Sequence, residues 1–267
     1  MCAFAANSVL CRIALRAGEI DPASFTLIRI ASGAAVLVPL ALFQGRFSFK
    51  TAGSWLSSLG LVGYAAFFSF SYVQIDAGIG ALTLFLVVQL TMIGWNRFEG
   101  KRLDGWERSG LVIALAGLGL LTLPGNDTPA LRGLILMAIA GVCWGAYSLR
   151  GRGAKAPIAL TAGNFLKGVP AAALVFAFYG GSQASAKGAL LAAASGALTS
   201  GLGYSLWYTV LPRMTTSRAA IAQLSVPALT VIGGVLFLGE IWTIEKAVSA
   251  SLMFSGVVLA VRPWRKK

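Results

Sequence analysis

Histidine is absent from the 267 residues, the acids number only 9 against 22 Lys and Arg, and there are three cysteines. Without an imidazole there is no histidine general base, proton shuttle or metal ligand. Cys2, Cys11 and Cys143 form no CxxC pair and lie in apolar stretches. They suit neither a disulfide framework nor a metal site, and read as small packing residues. Charge of either sign is scarce: 12% of residues, against about 25% in a soluble domain. That is too little to coat a water-facing surface, which excludes a soluble enzyme.

What fills the chain is long apolar sequence, 57% of it hydrophobic. Charge-free gaps run over 30–45, 51–75, 77–96, 109–126, 133–149, 168–186, 188–212, 219–239 and 247–261. About 20 apolar residues, rising 1.5 Å each, cross a ~30 Å hydrocarbon core. The nine gaps predict nine membrane-spanning helices, and residues 1–15 predict a tenth. We place them near 1–15, 23–43, 54–74, 78–96, 108–124, 131–149, 157–178, 188–208, 217–238 and 246–262. The expected fold is an all-α integral membrane bundle, multi-pass and in contact with lipid throughout.

The net charge of +13 invites a nucleic-acid reading, but the basic residues cluster in short loops between spans. That is the pattern of membrane topology, and no nucleic-acid partner is expected. One set of alternate loops and ends carries 15 Lys and Arg and the opposite set 5. The bias predicts that both termini are cytoplasmic, in a cytoplasmic (inner) membrane, with 263–267 as a basic cytoplasmic tail. Arg12 comes early for a first span, so it is expected to snorkel; a native start upstream of Met1 would explain the short span equally well. No n-region with an A-x-A cleavage pattern predicts a removable signal peptide.

An offset of 140 residues brings several features into register. Phe4, Ala6, Ser8 and Arg12 meet Trp144, Ala146, Ser148 and Arg152; Gly63-Tyr64, Phe67 and Phe68 meet Gly203-Tyr204, Trp207 and Tyr208. Glu99 and Glu240 match at 141. Two halves follow, 1–124 and 131–262, of five helices each. Five is odd, so the second half is expected to enter the membrane from the opposite side. Such inverted repeats are a common transporter plan with a substrate site near the midplane.

Three stretches, Ala5-Ala6-Asn7-Ser8-Val9-Leu10-Cys11-Arg12, Asp21 through Arg29, and Gln89-Leu90-Thr91-Met92-Ile93-Gly94, resemble the first EamA-type domain of the drug/metabolite transporter superfamily. Trp144-Gly145-Ala146-Tyr147-Ser148, Thr161 through Leu166, Gln223 through Pro227, and Phe237-Leu238-Gly239-Glu240 resemble the second. The resemblance implies a ten-helix bundle whose central cavity is lined by helices 1, 3, 4, 6, 8 and 9. It also implies export of amino acids or related metabolites.

Tyr64, Phe67 and Phe68 share one helix face, as do Tyr204, Trp207 and Tyr208. Their coincidence under the repeat favours a symmetric aromatic wall around a pocket over plain packing or an interfacial belt. Gln89 and Gln223 are costly in hydrocarbon unless bonded, so each is expected to face the interior. Pro227 removes the helical donor from the Gln223 carbonyl, which gives either a substrate contact or a packing kink. Asn7, Trp144 and Tyr147 are further cavity candidates on helices 1 and 6. Arg29 and Lys167, the charges well inside spans, lie within snorkelling reach of an end, and a structural or gating role paired with carbonyls or lipid is expected.

All nine carboxylates fall in loops or at helix ends, so no buried titrating group is expected for a proton relay. The expected activity is alternating-access export or exchange of a small-molecule substrate, without cofactor or metal. A lipid-acting membrane enzyme would need an acid–base or metal cluster at one interface, and no such cluster is found. A receptor or scaffold would not call for paired midplane aromatics, and nothing resembles a channel filter. Small-xxx-small ridges at Ala193/Ala197/Gly201 and Ala247/Ser251/Ser255 are expected to pack helices within a monomer, the second being an alternative dimer face.

Overall fold

The computed structural model describes residues 1–45, 47–49, 52–98, 100, 105–121, 129–151, 153–180, 183–210 and 216–261, and the side chains of all of these but 96, 121, 216–222, 224, 260 and 261. The described residues form ten helices: α1 Cys2–Arg16, α2 Pro22–Phe43, α3 Trp55–Tyr72, α4 Ala77–Phe98 and α5 Gly105–Leu121. Then follow α6 Leu131–Gly151, α7 Pro157–Tyr179, α8 Ala186–Val210, α9 Thr216–Leu238 and α10 Ile244–Val261. Among the described residues the sole β feature is an isolated bridge between Ile20 and Ala184.

Local sequence accounts for the helix limits. Asp21 accepts the N–H groups of Ala23 and Ser24, each at 2.9 Å, and Pro22 opens α2 where no N–H is needed. Ser54 and Ser185 cap α3 and α8 in the same manner. Gly180 ends α7 with φ +68°, a left-handed conformation that other residues adopt at a cost. Five helices (α2, α4, α6, α7 and α8) are long and apolar enough to cross a bilayer. Large apolar side chains such as Phe43, Leu56, Val112, Phe178, Leu206 and Phe237 are exposed on the outside. Exposed apolar surface of this extent is unfavourable in water and is the face that lipid covers. The protein is a multi-pass membrane protein.

Helix α2 packs on α7, α5 on α10, and α4 on both α6 and α9; α3 lies against α6 and α7, while α8 lies against α1 and α2. Small residues set the closest approaches. A Cβ at Gly163 would run into the Ala52 backbone, and one at Gly117 or Gly256 would strike the facing helix across the α5–α10 contact. The α10 face used there carries Ser249, Met253 and Gly256, whereas the expected ridge of Ala247, Ser251 and Ser255 is exposed. Helical phase is the reason: Gly256 has no side chain to keep α5 away, and the seam turns to it.

Residues Ser195–Leu202 of α8 are π-helical. Bonding from i to i+5 puts more residues in a turn than an α-helix holds, so Ser195, Thr199, Ser200 and Tyr204 come onto one face. A Cβ at Gly196 would fall on the Arg29 carbonyl oxygen and on Ser32 Oγ, so this glycine lets α8 lie directly on α2.

Candidate functional site

Tyr64, Trp144 and Tyr204 meet at the centre of the bundle. The Trp144 ring lies 4.8 Å from each tyrosine ring, between α3 and α8. Phe4 closes edge-on against Tyr204 at 5.6 Å, and Phe68 lies 5.3 Å from Tyr64. These five rings, with Asn7, Ser8, Leu84 and Phe85, line a small cavity. It encloses ≈ 10 Å³, the room of about one water molecule. The rings lie against one another and leave no space for anything larger in this arrangement.

Of the residues that the sequence singles out, Asn7, Tyr64, Phe68, Trp144 and Tyr204 line this cavity. Phe67, Gln89, Trp207, Tyr208 and Gln223 are not among its lining residues. Tyr147 stacks on Trp144 at 5.5 Å and its hydroxyl accepts from Asn164 Nδ2 at 3.4 Å, one layer out. Trp207 packs on Phe4 at 6.1 Å, while Gln89 is buried within α4. Phe67 and Gln223 are half-buried, and Pro227 is buried within an unbroken α9. Lys167 Nζ donates to the Gly53 carbonyl at 3.1 Å and Asn164 Oδ1 accepts the Ser54 N–H at 2.9 Å, so α7 holds the start of α3.

Arg29 departs most from expectation. It does not run to a helix end; it is 1% exposed and points inward behind the cavity wall. Its Nη2 donates to the hydroxyl oxygens of Tyr64 and Tyr204 at 3.2 and 3.1 Å, and its Nε to Ser200 Oγ at 3.0 Å. The guanidinium carbon lies 5.1 Å from the ring centres of both Tyr64 and Phe68. Ser200 and Tyr204, four residues apart, reach Arg29 from the same face of α8. One turn earlier the Ser195 and Thr199 hydroxyls donate to Asn7 Oδ1, while Asn7 Nδ2 donates to the Tyr64 hydroxyl at 3.4 Å.

A second polar centre closes one end of the bundle. Glu240 follows Gly239, whose φ of +61° turns the chain at the end of α9. The Glu240 carboxylate accepts the N–H of Ala77 at 2.7 Å and faces that of Gly78 at 3.5 Å, so it caps α4. Arg12 Nε lies 3.9 Å from it; Arg12 Nη1 donates to the Tyr72 carbonyl at 2.6 Å, and Nη2 is 3.6 Å from Asp76. Lys246 adds a 3.3 Å pair to Asp76, and Arg16 donates to the Leu238 carbonyl at 2.7 Å.

Two expectations change at this centre. Arg12 turns inward to these partners instead of snorkelling outward. Glu240, although at a helix end as expected, is buried at 6% exposure, so the chain does hold a buried carboxylate. The first residues of α4 close over it, a contact between segments 163 residues apart. Burial pushes its carboxyl above the ordinary range, against the opposing pull of the Ala77 N–H. Glu99 and Arg152, the expected counterparts of Glu240 and Arg12, lie outside the described residues. No group of three or more His, Cys, Asp or Glu side chains placed to hold a metal occurs among the described residues.

Sequence reasoning missed Ser8, Leu84 and Phe85 of the cavity and the whole row Ser195, Thr199, Ser200. Phe4 stood in the repeat alignment opposite Trp144 and was findable there.

Comparisons with known proteins fit this geometry. A model of the EamA-like transporter family matches residues 1–123 and again 131–262. The uncharacterized protein PA1977 of Pseudomonas aeruginosa is 44% identical over 264 residues, covering 98% of this chain and 92% of its own. The threonine/homoserine exporter RhtA of Escherichia coli K12 is 34% identical over 145 residues, covering 50% of this chain and 47% of its own. A crystal structure covering 97% of this chain and 95% of its own has the same fold, with a TM-score of 0.67 at 21% identity.

Proposed function

Because the chain belongs to the EamA-like transporter family, we propose that it exports small metabolites, amino acids or related compounds foremost, by alternating access at the aromatic cavity. The observation that carries this reading is the cavity itself, built from Asn7, Tyr64 and Phe68 of the first matched stretch and Trp144 and Tyr204 of the second. A site shared between two halves is open to one side or the other as the halves rock.

In this reading all ten helices span the membrane, as two inverted five-helix repeats over 1–124 and 131–262. The exchange of partners supports it: α3 on α6 and α7 is matched by α8 on α1 and α2, and α4 on α6 by α9 on α1. The protein sits in the cytoplasmic membrane as a monomer with both termini and the 263–267 tail cytoplasmic, in line with the basic bias of the loops. Glu240 holds the end of α4 outside the cavity, and a single capping carboxylate is not a relay. Transport therefore runs as exchange or downhill export, without a cofactor and without enzymatic turnover.

Counterflow in proteoliposomes with a panel of labelled amino acids tests the reading, in parallel with a Tyr64→Ala, Tyr204→Ala double variant. Saturable exchange that the folded variant loses is the expected result. Exchange that survives the variant discards the site, and failure across amino acids and other metabolites discards the transporter. A protonophore that abolishes uphill transport of an uncharged substrate would sink the relay-free coupling.

A further inference from the structure

The geometry points to Arg29, acting through the hydroxyls of Tyr64 and Tyr204, as the receptor for a carboxylate group of the transported molecule. The inference rests on the exporter reading and names the charge that the site is built to take.

A guanidinium keeps its proton under all ordinary conditions, and a buried cation needs a counter-charge. Among the described residues no carboxylate pairs with Arg29, and its Nη1 is buried without a hydrogen-bond partner. Two ring faces and three hydroxyl oxygens solvate the charge but leave it uncompensated.

The wiring of the hydroxyls says where the counter-charge goes. Both tyrosine oxygens accept from Nη2, so both phenolic protons must turn away from the guanidinium. A hydroxyl has one proton to give. Each hydroxyl can give its proton to the other tyrosine, Tyr204 can give its own to Ser200, and either can rotate to a ligand between the rings, since both side chains line the cavity. The cavity therefore presents an O–H donor with a fixed positive charge behind it, which is the complement of an anion. One cation balances one negative charge, so a monoanionic carboxylate fits where a dianion would leave the dry site charged. Trp144, Phe4 and Phe68 cover the apolar remainder of the molecule. Arg29 is thus a positioning residue: it orients and polarises the hydroxyls that touch the ligand.

The test is tryptophan-fluorescence titration of the full chain, since Trp144 lies between the two tyrosines, run beside counterflow. The probes are amino acids, their carboxamides, and plain monocarboxylates of two to six carbons. Acids are expected to bind at least about tenfold more tightly than the matched carboxamides. Arg29→Gln is expected to weaken acids by about 10- to 100-fold, the range for a lost hydrogen bond to a charged group, while carboxamides change little. Arg29→Lys should recover part of the difference. Should Arg29→Gln not fold, Tyr64→Phe with Tyr204→Phe decides, because it keeps every ring and removes both hydroxyls. Carboxamides binding as tightly as acids, or an acid-to-amide ratio unmoved in the double Phe variant, overturns the proposal. If no amino acid is exchanged but monocarboxylates bind with the same dependence on Arg29, the amino-acid reading falls and the receptor stands. If no carboxylate of either set binds, the receptor falls whatever is transported.

Discussion

Replacing Glu240 separates two roles that its carboxylate combines, a cap on α4 and a charge beside Arg12. Glu240→Gln keeps an acceptor oxygen for the Ala77 N–H, now bonded at 2.7 Å, and removes the charge. Burial already favours the neutral carboxyl here, and Arg12 retains Asp76 and the Tyr72 carbonyl. Because Arg12 is not left without partners, the cost should stay near that of one hydrogen bond, about 1 kcal/mol. Glu240→Ala instead leaves the Ala77 N–H without a partner at a residue with no exposed surface. An orphaned buried donor costs about 1–3 kcal/mol. At about 2–4 °C per kcal/mol for a chain of this size, melting of the purified protein should fall by several degrees for Ala and barely for Gln. Equal losses in both variants would show that the charge, not the cap, holds this end together. No loss in either would refute the account of the contact.

Three further outcomes follow from the packing and the ionisation. Gly196→Ala should force α8 off α2, at about 1–3 kcal/mol for an overpacked contact, with lower melting and a weakened Arg29–Ser200 bond. Gly94→Ala, where a Cβ meets nothing within 4 Å, is the matched control and should be neutral or slightly stabilising. Glu240 is raised above its ordinary 4.5, so the folded state holds the proton longer, and its contribution is lost as pH rises from 4.5 through the raised value. Melting of Glu240→Gln against pH should lack that decline. Glu19 has the opposite sign: the Ser185 hydroxyl and then Lys187 hold its carboxyl low, so its contribution is complete above 4.5 and lost as pH falls through the lowered value. Glu19→Gln should flatten the acid limb, and an unchanged limb would remove this pair from the account.

The helices were legible because spacing between charges is set by membrane thickness, a constraint that acts on every span alike. Tyr64, Trp144 and Tyr204 were legible for a different reason: an offset of 140 residues lines up aromatic positions, and these three meet at the cavity. Arg29 was visible as a charge inside α2, but distance along a helix says nothing of which way a side chain points, and its partner Ser200 is 171 residues away. Ser195 and Thr199 share a face on any helix but are small residues with no signal of their own, and Ser200 joins them only on a π-helical turn, which α-helical phase does not anticipate. The partner of Glu240 was hidden by the same long-range closure, since the N–H groups it caps open a helix in the other half. Gln89, Gln223, Phe67, Trp207 and Tyr208 fit the polarity and phase rules for interior residues, yet cavity lining depends on side-chain length and helix rotation as well.

A centre with space for about one water has a meaning for the cell that holds it. The rings that meet there leave no room for a continuous file of water through this point of the bundle. If the proposed site is the transport site, a bound solute takes the volume that Phe4, Trp144 and the tyrosines vacate, and the seal passes from side chain to cargo. On the proposed reading, a membrane crowded with such proteins keeps its gradients, because each passage opens only around the molecule that is passing.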